Sequence, residues 1–187
     1  MQRVTVIGAG IAGSEAAWQL AERGIAVRLI EMRPLRQTPV HDSDRFAELV
    51  CSNSLKSIDT KTSAGALKRE LARLGSAVLH AAFAARVPAG SALAVDRDIF
   101  SREITARLSS HTNIEIVRGE IESLDGIIES KELCILATGP LTSESLAESI
   151  QGVLGKENLA FFDAAAPIIS AEPLDRDRLF AQSRYSS

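Results

Sequence analysis

Three glycines near the N-terminus, Gly8, Gly10 and Gly13, are spaced as in a loop that binds the pyrophosphate of a dinucleotide. Gly8 would permit a tight turn, Gly10 a close approach of the pyrophosphate, and Gly13 close packing of a following helix. A helix beginning near Ile11 would direct its free N–H groups at the phosphates. We therefore expect cofactor contacts from the six residues of this loop, which are Gly8, Ala9, Gly10, Ile11, Ala12 and Gly13.

Glu31 closes the second apolar run, VRLIE, and follows Gly13 at close to the spacing of roughly 20 residues expected for a ribose ligand. An acidic side chain there accepts hydrogen bonds from the ribose hydroxyls, which favours FAD or NAD over a 2′-phosphorylated nicotinamide. The N-terminal position favours FAD by analogy with flavoproteins that bind two dinucleotides. The alternative interpretation is an ordinary glycine-rich turn.

Cys51 is the residue most suited to covalent chemistry. It lies in the segment ELVCSNSLKS, within residues 33–62, whose Pro, Ser, Thr and Asp content predicts a long loop. A loop thiol beside a flavin can act as a nucleophile, a redox partner or an acid/base group. The nearest candidate activators, His41 and Lys56, do not identify a base from the sequence alone. A small buried loop residue therefore remains the alternative interpretation of Cys51.

The elements that would position these residues alternate between strands and helices up to about residue 165. This alternation predicts an α/β fold, a Rossmann-type FAD-binding domain with a mostly parallel sheet. Residues 133–138, LCILAT, predict a buried strand that contains Cys134 as a core residue. Small residues at the end of such a strand permit close approach to a cofactor, so we expect contacts from Ala137, Thr138 and Gly139.

Residues 63–86 predict a helical segment, because apolar side chains recur every three or four positions at Leu67, Leu71, Leu74 and Val78. Its basic residues, Lys68, Arg69 and Arg73, form either a solvated face or a set of phosphate contacts.

Two further positions carry predictions. Asp98 is expected to cap a helix whose Phe100, Ile104 and Leu108 face the core. Ile121 is expected either to contact adenine or to pack in the core.

The composition excludes several classes of protein. With 187 residues, 45% hydrophobic and 24% charged, the chain has the composition of a soluble globular protein. No apolar stretch approaches the ~20 residues of a membrane span, and the first strand leaves no room for a signal peptide, so we expect a cytoplasmic protein. The net charge of −3 does not indicate nucleic-acid binding, and the two cysteines fit neither a disulfide framework nor a metal site. No stable protein partner can be inferred.

Several longer motifs carry a family resemblance. The chain resembles the N-terminal part of the folate- and FAD-dependent tRNA (uracil-5-)-methyltransferases, the TrmFO (Gid) family. The matching segments are VTVIGAGIAGSEAAWQLAERG, VRLIEMRP, ELVCSNSLKS, ALAVDRDIFS, ILATGPLTS, FFDAAAPII and QSRYSS. CSNSL, VDRD and AAAPI are far more specific than the glycine triplet. The second-nearest family, the flavoproteins that modify tRNA wobble uridines, shares the glycine-loop helix but lacks the CSNSL pattern.

The resemblance implies an activity. FAD, bound by the glycine loop and Glu31 and reduced by NADPH or NADH, would carry the methylene of 5,10-methylenetetrahydrofolate to carbon 5 of a T-loop uridine in tRNA. One cysteine of the family adds to carbon 6 of the uracil, and a second assists as an acid/base group or as a protecting partner. Cys51 matches the family's first essential cysteine, in the CSNSL motif. Cys134 matches neither essential cysteine, and the second would lie beyond Ser187.

The resemblance also implies an incomplete chain, because family members are more than twice as long. We expect an FAD-binding domain over residues 1–165, the start of a second segment over 166–187, and an unpaired edge of the sheet. Most of the basic surface for tRNA would lie in the absent half. A non-catalytic nucleotide-binding fragment is the remaining alternative.

Overall fold

The computed structural model of the protein describes residues 3–155. In chain order its elements are β1 (Arg3–Ile7), α1 (Ile11–Glu22), β2 (Ala26–Glu31), β3 (Ser54–Ser57), α2 (Ser63–Arg73), α3 (Ala77–Ala84), β4 (Arg86–Val87), β5 (Ala92–Val95), α4 (Arg97–Ser110), β6 (Ile114–Arg118), α5 (Asp125–Ser130), β7 (Leu133–Leu136), a 3₁₀ turn (Gly139–Leu141) and α6 (Glu144–Leu154). The predicted domain boundary at 165, the segment 166–187 and the motifs FFDAAAPII and QSRYSS lie outside the described residues. No helix within 3–155 is long and apolar enough to cross a membrane.

A parallel four-stranded sheet forms the centre of the fold, with strand order β6-β2-β1-β7. Because the strands are parallel, the segments that follow β1, β2 and β7 all leave the sheet at the carboxyl ends of its strands. The predicted α/β fold with a mostly parallel sheet is therefore confirmed. The sequence did not reveal a second, antiparallel sheet of order β3-β5-β4, because its strands have only two to four residues.

Helices cover the central sheet and bury the main core. α1 packs on the sheet through Ala17 and Ala21, whose small side chains allow a close approach. The inward positions predicted for α4 are confirmed, since Phe100, Ile104 and Leu108 are fully buried. The predicted cap was wrong: Asp96 accepts the N–H of Ile99 at 2.9 Å, whereas Asp98 lies within the first turn of the helix.

The predicted helical segment 63–86 is two helices, because the chain turns at Gly75 with φ +69°. The predicted apolar stripe spans this break and does not form one buried face. Leu67 and Leu74 are exposed, while α3 buries Ala77 and Leu79 instead.

Strand β7 was wrongly predicted to be buried. Within residues 3–155 it pairs with β1 alone, and it forms an edge of the sheet. Leu133 is 53% exposed and Leu136 is 41% exposed. Cys134 is half-buried against a second apolar cluster that includes Ile7 and Leu124.

Candidate functional site

Gly8 and Gly13 hold the loop between β1 and α1 in place. Gly8 has φ +94°, and a Cβ there would lie 2.7 Å from the carbonyl oxygen of Ala137. A Cβ on Gly13 would collide with the carbonyl oxygen of Gly8. The fold itself therefore requires both glycines, whatever binds to the loop.

Gly10 differs from these two glycines. It has φ −66°, and a Cβ at this position would meet no protein atom within 4 Å. Gly10 is also the N-cap of α1, with no side-chain hydrogen bond to the helix. Within residues 3–155 the N–H groups of Ile11, Ala12 and Gly13 have no acceptor. The loop thus has three free N–H donors, and the space beside the Gly10 Cα is open. This arrangement fits a pyrophosphate, which needs both hydrogen-bond donors and room for its oxygens.

The Glu31 carboxylate is only 5% exposed and already holds part of the loop. Its Oε2 accepts the N–H of Ala9 at 2.9 Å, and its Oε1 accepts the backbone N–H and the Nε of Arg33 at 3.1 and 2.9 Å. Burial alone would raise the pKa of Glu31, but the hydrogen bond and charge of Arg33, with the two backbone donors, lower it below its usual value. An ionised Glu31 keeps a lone pair on Oε2, which accepts one hydrogen bond within the described residues, for a further donor.

Arg33 joins Glu31 to the loop that carries Cys51. The Arg33 side chain is 2% exposed, and its Nη1 donates to Glu48 Oε2 at 3.1 Å and to the Ser43 carbonyl at 3.3 Å. Glu48 in turn accepts the Ser43 hydroxyl at 2.7 Å and the Asp42 N–H at 2.9 Å. Sequence analysis missed this buried cluster of charges, because Glu48 lies 15 residues after Arg33 in an irregular segment without periodic spacing.

Residues 33–62 are consequently packed, although the sequence predicted a long loop. Phe46 and Ala47 are fully buried, and the Ala47 N–H donates to the Ala9 carbonyl at 2.8 Å. The Arg118 guanidinium lies 4.6 Å from the centre of the Phe46 ring and donates to the Arg33 carbonyl at 2.7 Å. These contacts hold the chain before Cys51 against the glycine loop.

A cleft of 260 Å³ brings most of the predicted site residues together. Its lining includes the predicted residues Gly10, Ile11, Ala12, Glu31, Cys51, Ala137, Thr138 and Gly139. The other three predicted residues do not line it: Ala9 and Gly13 are buried behind the loop, and Gly8 lines a smaller neighbouring cavity. The loops after β1, β2 and β7 thus contribute to one cleft at the carboxyl ends of the strands.

The two cysteines differ in environment. Cys51 is exposed and lies on the cleft, together with His41, which sequence analysis did not assign to the site. Burial, and then the charge of Arg33, lower the pKa of His41, so its imidazole is neutral at pH 7. Cys134 does not line the cleft, and burial, together with the charge of Glu132, raises the pKa of its thiol. Only Cys51 is therefore placed to react with a ligand in the cleft.

The smaller cavity of 50 Å³ adjoins the cleft, because Met32, Thr138 and Leu141 line both. Ile121 lines this cavity and also packs against the cluster containing Leu146. Both interpretations of Ile121 are thus compatible with its position, since one side chain can pack in the core and face a flat apolar group. Within residues 3–155 no group of His, Cys, Asp or Glu is arranged to hold a metal ion.

The chain is similar in sequence to known proteins. The model of a family described as "Glucose inhibited division protein A" matches residues 3–187. Two relatives from Staphylococcus aureus, of strains JH9 and Newman, are each named methylenetetrahydrofolate–tRNA-(uracil-5-)-methyltransferase TrmFO. Each is 56% identical over 185 residues, which cover 98% of this chain and 41% of the relative. The chain therefore spans about two fifths of the length of the curated relatives that it matches.

Solved structures show a more distant likeness. The p-nitrophenol 4-monooxygenase PnpA from Pseudomonas putida DLL-E4 is 18% identical with a TM-score of 0.39, over 66% of this chain and 33% of that one. The tetrameric form of 2-methyl-3-hydroxypyridine-5-carboxylic acid oxygenase is 19% identical with a TM-score of 0.37, over 62% of this chain and 31% of that one. These values are too low to indicate a function.

Proposed function

The chain belongs to the glucose inhibited division protein A family, and from this premise we propose that it contributes the cofactor site and the nucleophile of a folate- and FAD-dependent tRNA (uracil-5-)-methyltransferase. The reaction would transfer the methylene of 5,10-methylenetetrahydrofolate to carbon 5 of a T-loop uridine in tRNA. The observation that supports this proposal best is the presence of Cys51 in the same cleft as Gly10 and Glu31. A thiol and a dinucleotide loop in one cleft are what this chemistry needs.

FAD fits the residues of the cleft. The free N–H groups of Ile11, Ala12 and Gly13 would bind the pyrophosphate, and the space beside Gly10 would admit it. Glu31 would accept the ribose hydroxyls. Ala137, Thr138 and Gly139 would line the cofactor's side of the cleft. Once bound and reduced by NADPH or NADH, FAD would supply electrons and carry the one-carbon unit.

Cys51 would act on the nucleic-acid substrate. Its thiolate would add to carbon 6 of the uracil, which makes carbon 5 nucleophilic. After carbon 5 has gained the new carbon, it would lose its proton, and the bond between Cys51 Sγ and carbon 6 would break. The neutral imidazole of His41 lies on the same cleft and is suited to take the thiol proton. The substrates, tRNA and a reduced folate, suggest a cytoplasmic reaction.

The second candidate function is nucleotide binding without transfer. The observation that favours it is that Cys134, the other cysteine in the sequence, does not line the cleft, so the described residues place one thiol there. Under this alternative, FAD would bind as proposed, but no carbon would reach RNA.

An experiment on the whole chain separates the two candidates. The purified protein is incubated with FAD, NADPH, tRNA and 5,10-methylenetetrahydrofolate labelled in its methylene carbon, and label in the T-loop uridine is measured. Incorporation by the wild type and by Cys134→Ala, with none by Cys51→Ala, would support carbon transfer. A flavin spectrum without any transfer by the wild type would favour nucleotide binding alone. Equal transfer by Cys51→Ala would refute the role of Cys51.

A further inference from the structure

Strand β3 and helix α2 are held in a defined arrangement directly after Cys51. Thr62 caps α2, since its hydroxyl accepts the Gly65 N–H at 3.1 Å and donates to the Asp59 carbonyl at 2.7 Å. A Cβ on Gly65 would collide with the same Asp59 carbonyl, so the first turn of α2 lies tightly on the chain that leaves β3. The side chains of β3 and of the first turns of α2 therefore have a defined separation.

Two lysines lie on either side of this junction, Lys56 in β3 and Lys68 in α2. Lys56 is exposed and has φ +65°, a left-handed conformation that is uncommon for a non-glycine residue, at the irregularity in the register of β3. The Lys68 side chain is half-buried, and its Nζ donates to the Ala64 carbonyl at 3.3 Å. Burial, and then the charge of Lys56, lower the pKa of Lys68, the direction expected when a second cation lies in the same region.

Neither lysine has an acidic partner among residues 3–155. Arginines in the same part of the chain do pair with carboxylates, for example Arg36 with Glu120 and Arg45 with Asp98. Two unpaired cations held near each other oppose folding, and a strained backbone at one of them adds to this cost. Such a pair is stabilised by an anion that contacts both groups.

The position of the pair indicates which anion. Lys56 follows Cys51 by five residues, a distance of at most about 18 Å for an extended chain. Neither lysine lines the cleft that contains the glycine loop. The phosphates of a dinucleotide bound in that cleft are therefore not the anion that contacts Lys56 and Lys68. A strand of RNA that presents a base to Cys51, in contrast, carries backbone phosphates on either side of that base.

We propose that Lys56 and Lys68 form a phosphate-binding site for the RNA backbone beside the uridine that reaches Cys51. This inference rests on the proposed function and adds a docking surface to it. It would give a chain of net charge −3 a local basic surface for RNA.

The test uses variants that each remove one positive charge from the full chain: Lys56→Gln, Lys68→Gln and, as a matched control, Arg102→Gln. Arg102 is exposed on α4 and has no ion pair within the described residues. Binding of tRNA is measured by fluorescence anisotropy at several salt concentrations. We expect each lysine variant to bind roughly 3- to 10-fold more weakly and to reduce the slope of log K against log salt by about 0.7–1, while Arg102→Gln matches the wild type.

The outcomes separate this site from the proposed function. Wild-type affinity in both lysine variants would overturn the site and leave the function standing. No RNA binding by a wild type that still binds FAD would overturn the site as well. A wild type that binds RNA, and whose slope of log K against log salt falls in the lysine variants, would support the site. If that wild type transfers no carbon, the methyltransferase function is contradicted while the site stands. Flavin fluorescence checks that each variant retains its FAD site.

A second measurement on the wild type does not depend on the folding of any variant. Brief acylation of lysine amines, read by mass spectrometry, is compared without ligand, with tRNA and with FAD. We expect tRNA to protect Lys56 and Lys68, with no protection by FAD and no change at Lys131, a lysine on the C-cap of α5. Equal labelling of Lys56 and Lys68 with and without tRNA, or protection by FAD instead, would overturn the proposal.

Discussion

At the scale of single residues, Gly10 differs from Gly8 and Gly13, because the fold requires a glycine at those two positions but not at position 10. Backbone collisions explain Gly8 and Gly13 without any cofactor. Gly10 has an ordinary φ of −66° and free space where a Cβ would lie, so the described protein offers no reason for a glycine there. A bound pyrophosphate supplies that reason, because it would occupy the space.

We predict that Gly10→Val abolishes FAD or ADP binding and leaves the chain folded, since the new side chain meets ligand atoms rather than protein atoms. Flavin fluorescence titration measures the affinity, and circular dichroism checks the fold. The control is Gly152→Val, because a Cβ on Gly152 in α6 would also meet nothing within 4 Å. Unchanged FAD affinity in Gly10→Val would remove the loop from the site.

For Glu31, we predict that Glu31→Gln weakens adenosine-dinucleotide binding by about 1–3 kcal/mol, because charge-assisted hydrogen bonds to the ribose hydroxyls are lost. Isothermal titration calorimetry gives the free energy of binding. Glu129→Gln, a change at an exposed residue of α5, serves as the control. If calorimetry finds no loss, the carboxylate of Glu31 serves only Ala9 and Arg33, and the ribose assignment is wrong.

The two cysteines should differ in reactivity. Brief treatment with iodoacetamide should alkylate exposed Cys51, and bound FAD should slow this reaction, because Cys51 lies on the cleft. Cys134 should react only after unfolding, because burial raises the pKa of its thiol and less thiolate is present. Mass spectrometry distinguishes the two sites. Equal labelling of Cys51 with and without FAD would argue against its place beside the cofactor, and preferential labelling of Cys134 would contradict both assignments.

At the scale of elements, the segment between β2 and β3 has no regular secondary structure, but ion pairs and hydrogen bonds hold it to the ends of β2 and β6. Arg33 lies between Glu31 at the end of β2 and Glu48 in the loop. Arg118 at the end of β6 adds hydrogen bonds to the carbonyls of Arg33 and Asp44. Buried charges need such partners, so the loop is held in one conformation that brings Cys51 to the cleft.

We predict that Arg33→Met lowers the free energy of unfolding by about 3–5 kcal/mol, because Glu31 and Glu48 then lack their shared cation. Urea denaturation at pH 7 measures this loss. The difference from the wild type should shrink well below pH 4.5, the ordinary pKa of glutamate, because stability from a lowered carboxylate pKa disappears as the pH falls through that lowered value. Arg102→Gln should retain wild-type stability. A difference that is unchanged at acidic pH would contradict the ion cluster.

At the scale of the whole molecule, a ligand in the cleft would contact three separate parts of the chain. The glycine loop, the segment from Glu31 to Cys51 and residues 137–141 all line it. A ligand that requires all three parts in place binds the folded state and not the unfolded chain, so it stabilises the fold by mass action.

We therefore predict that FAD at 100 times its dissociation constant raises the free energy of unfolding by about 2.7 kcal/mol. Urea denaturation with and without FAD measures the gain. Gly10→Val should show no gain at the same FAD concentration, whereas Gly152→Val should behave like the wild type. A gain in Gly10→Val equal to that of the wild type would mean that FAD binds elsewhere.

Features whose contacts are local or periodic were predictable from the order of the amino acids alone. The strand–glycine loop–helix unit from Arg3 to Glu22 was predicted closely, because turn geometry and helix start depend on neighbouring residues. The inward face of α4 followed from helical spacing. The family followed from motifs such as CSNSL, and the match over residues 3–187 confirms it.

Contacts between irregular segments and between elements, in contrast, became visible only in the folded chain. The cluster of Glu31, Arg33 and Glu48 has no spacing that a sequence pattern would reveal. The apolar run of β7 gave no indication of an edge, because burial depends on the partner strands and not on the strand's own residues. The placement of Lys56 and Lys68 depends on how α2 packs on the chain that leaves β3, where Gly65 lies against the Asp59 carbonyl. Local conformation depends on neighbouring residues, whereas burial and charge environment are set by the rest of the chain.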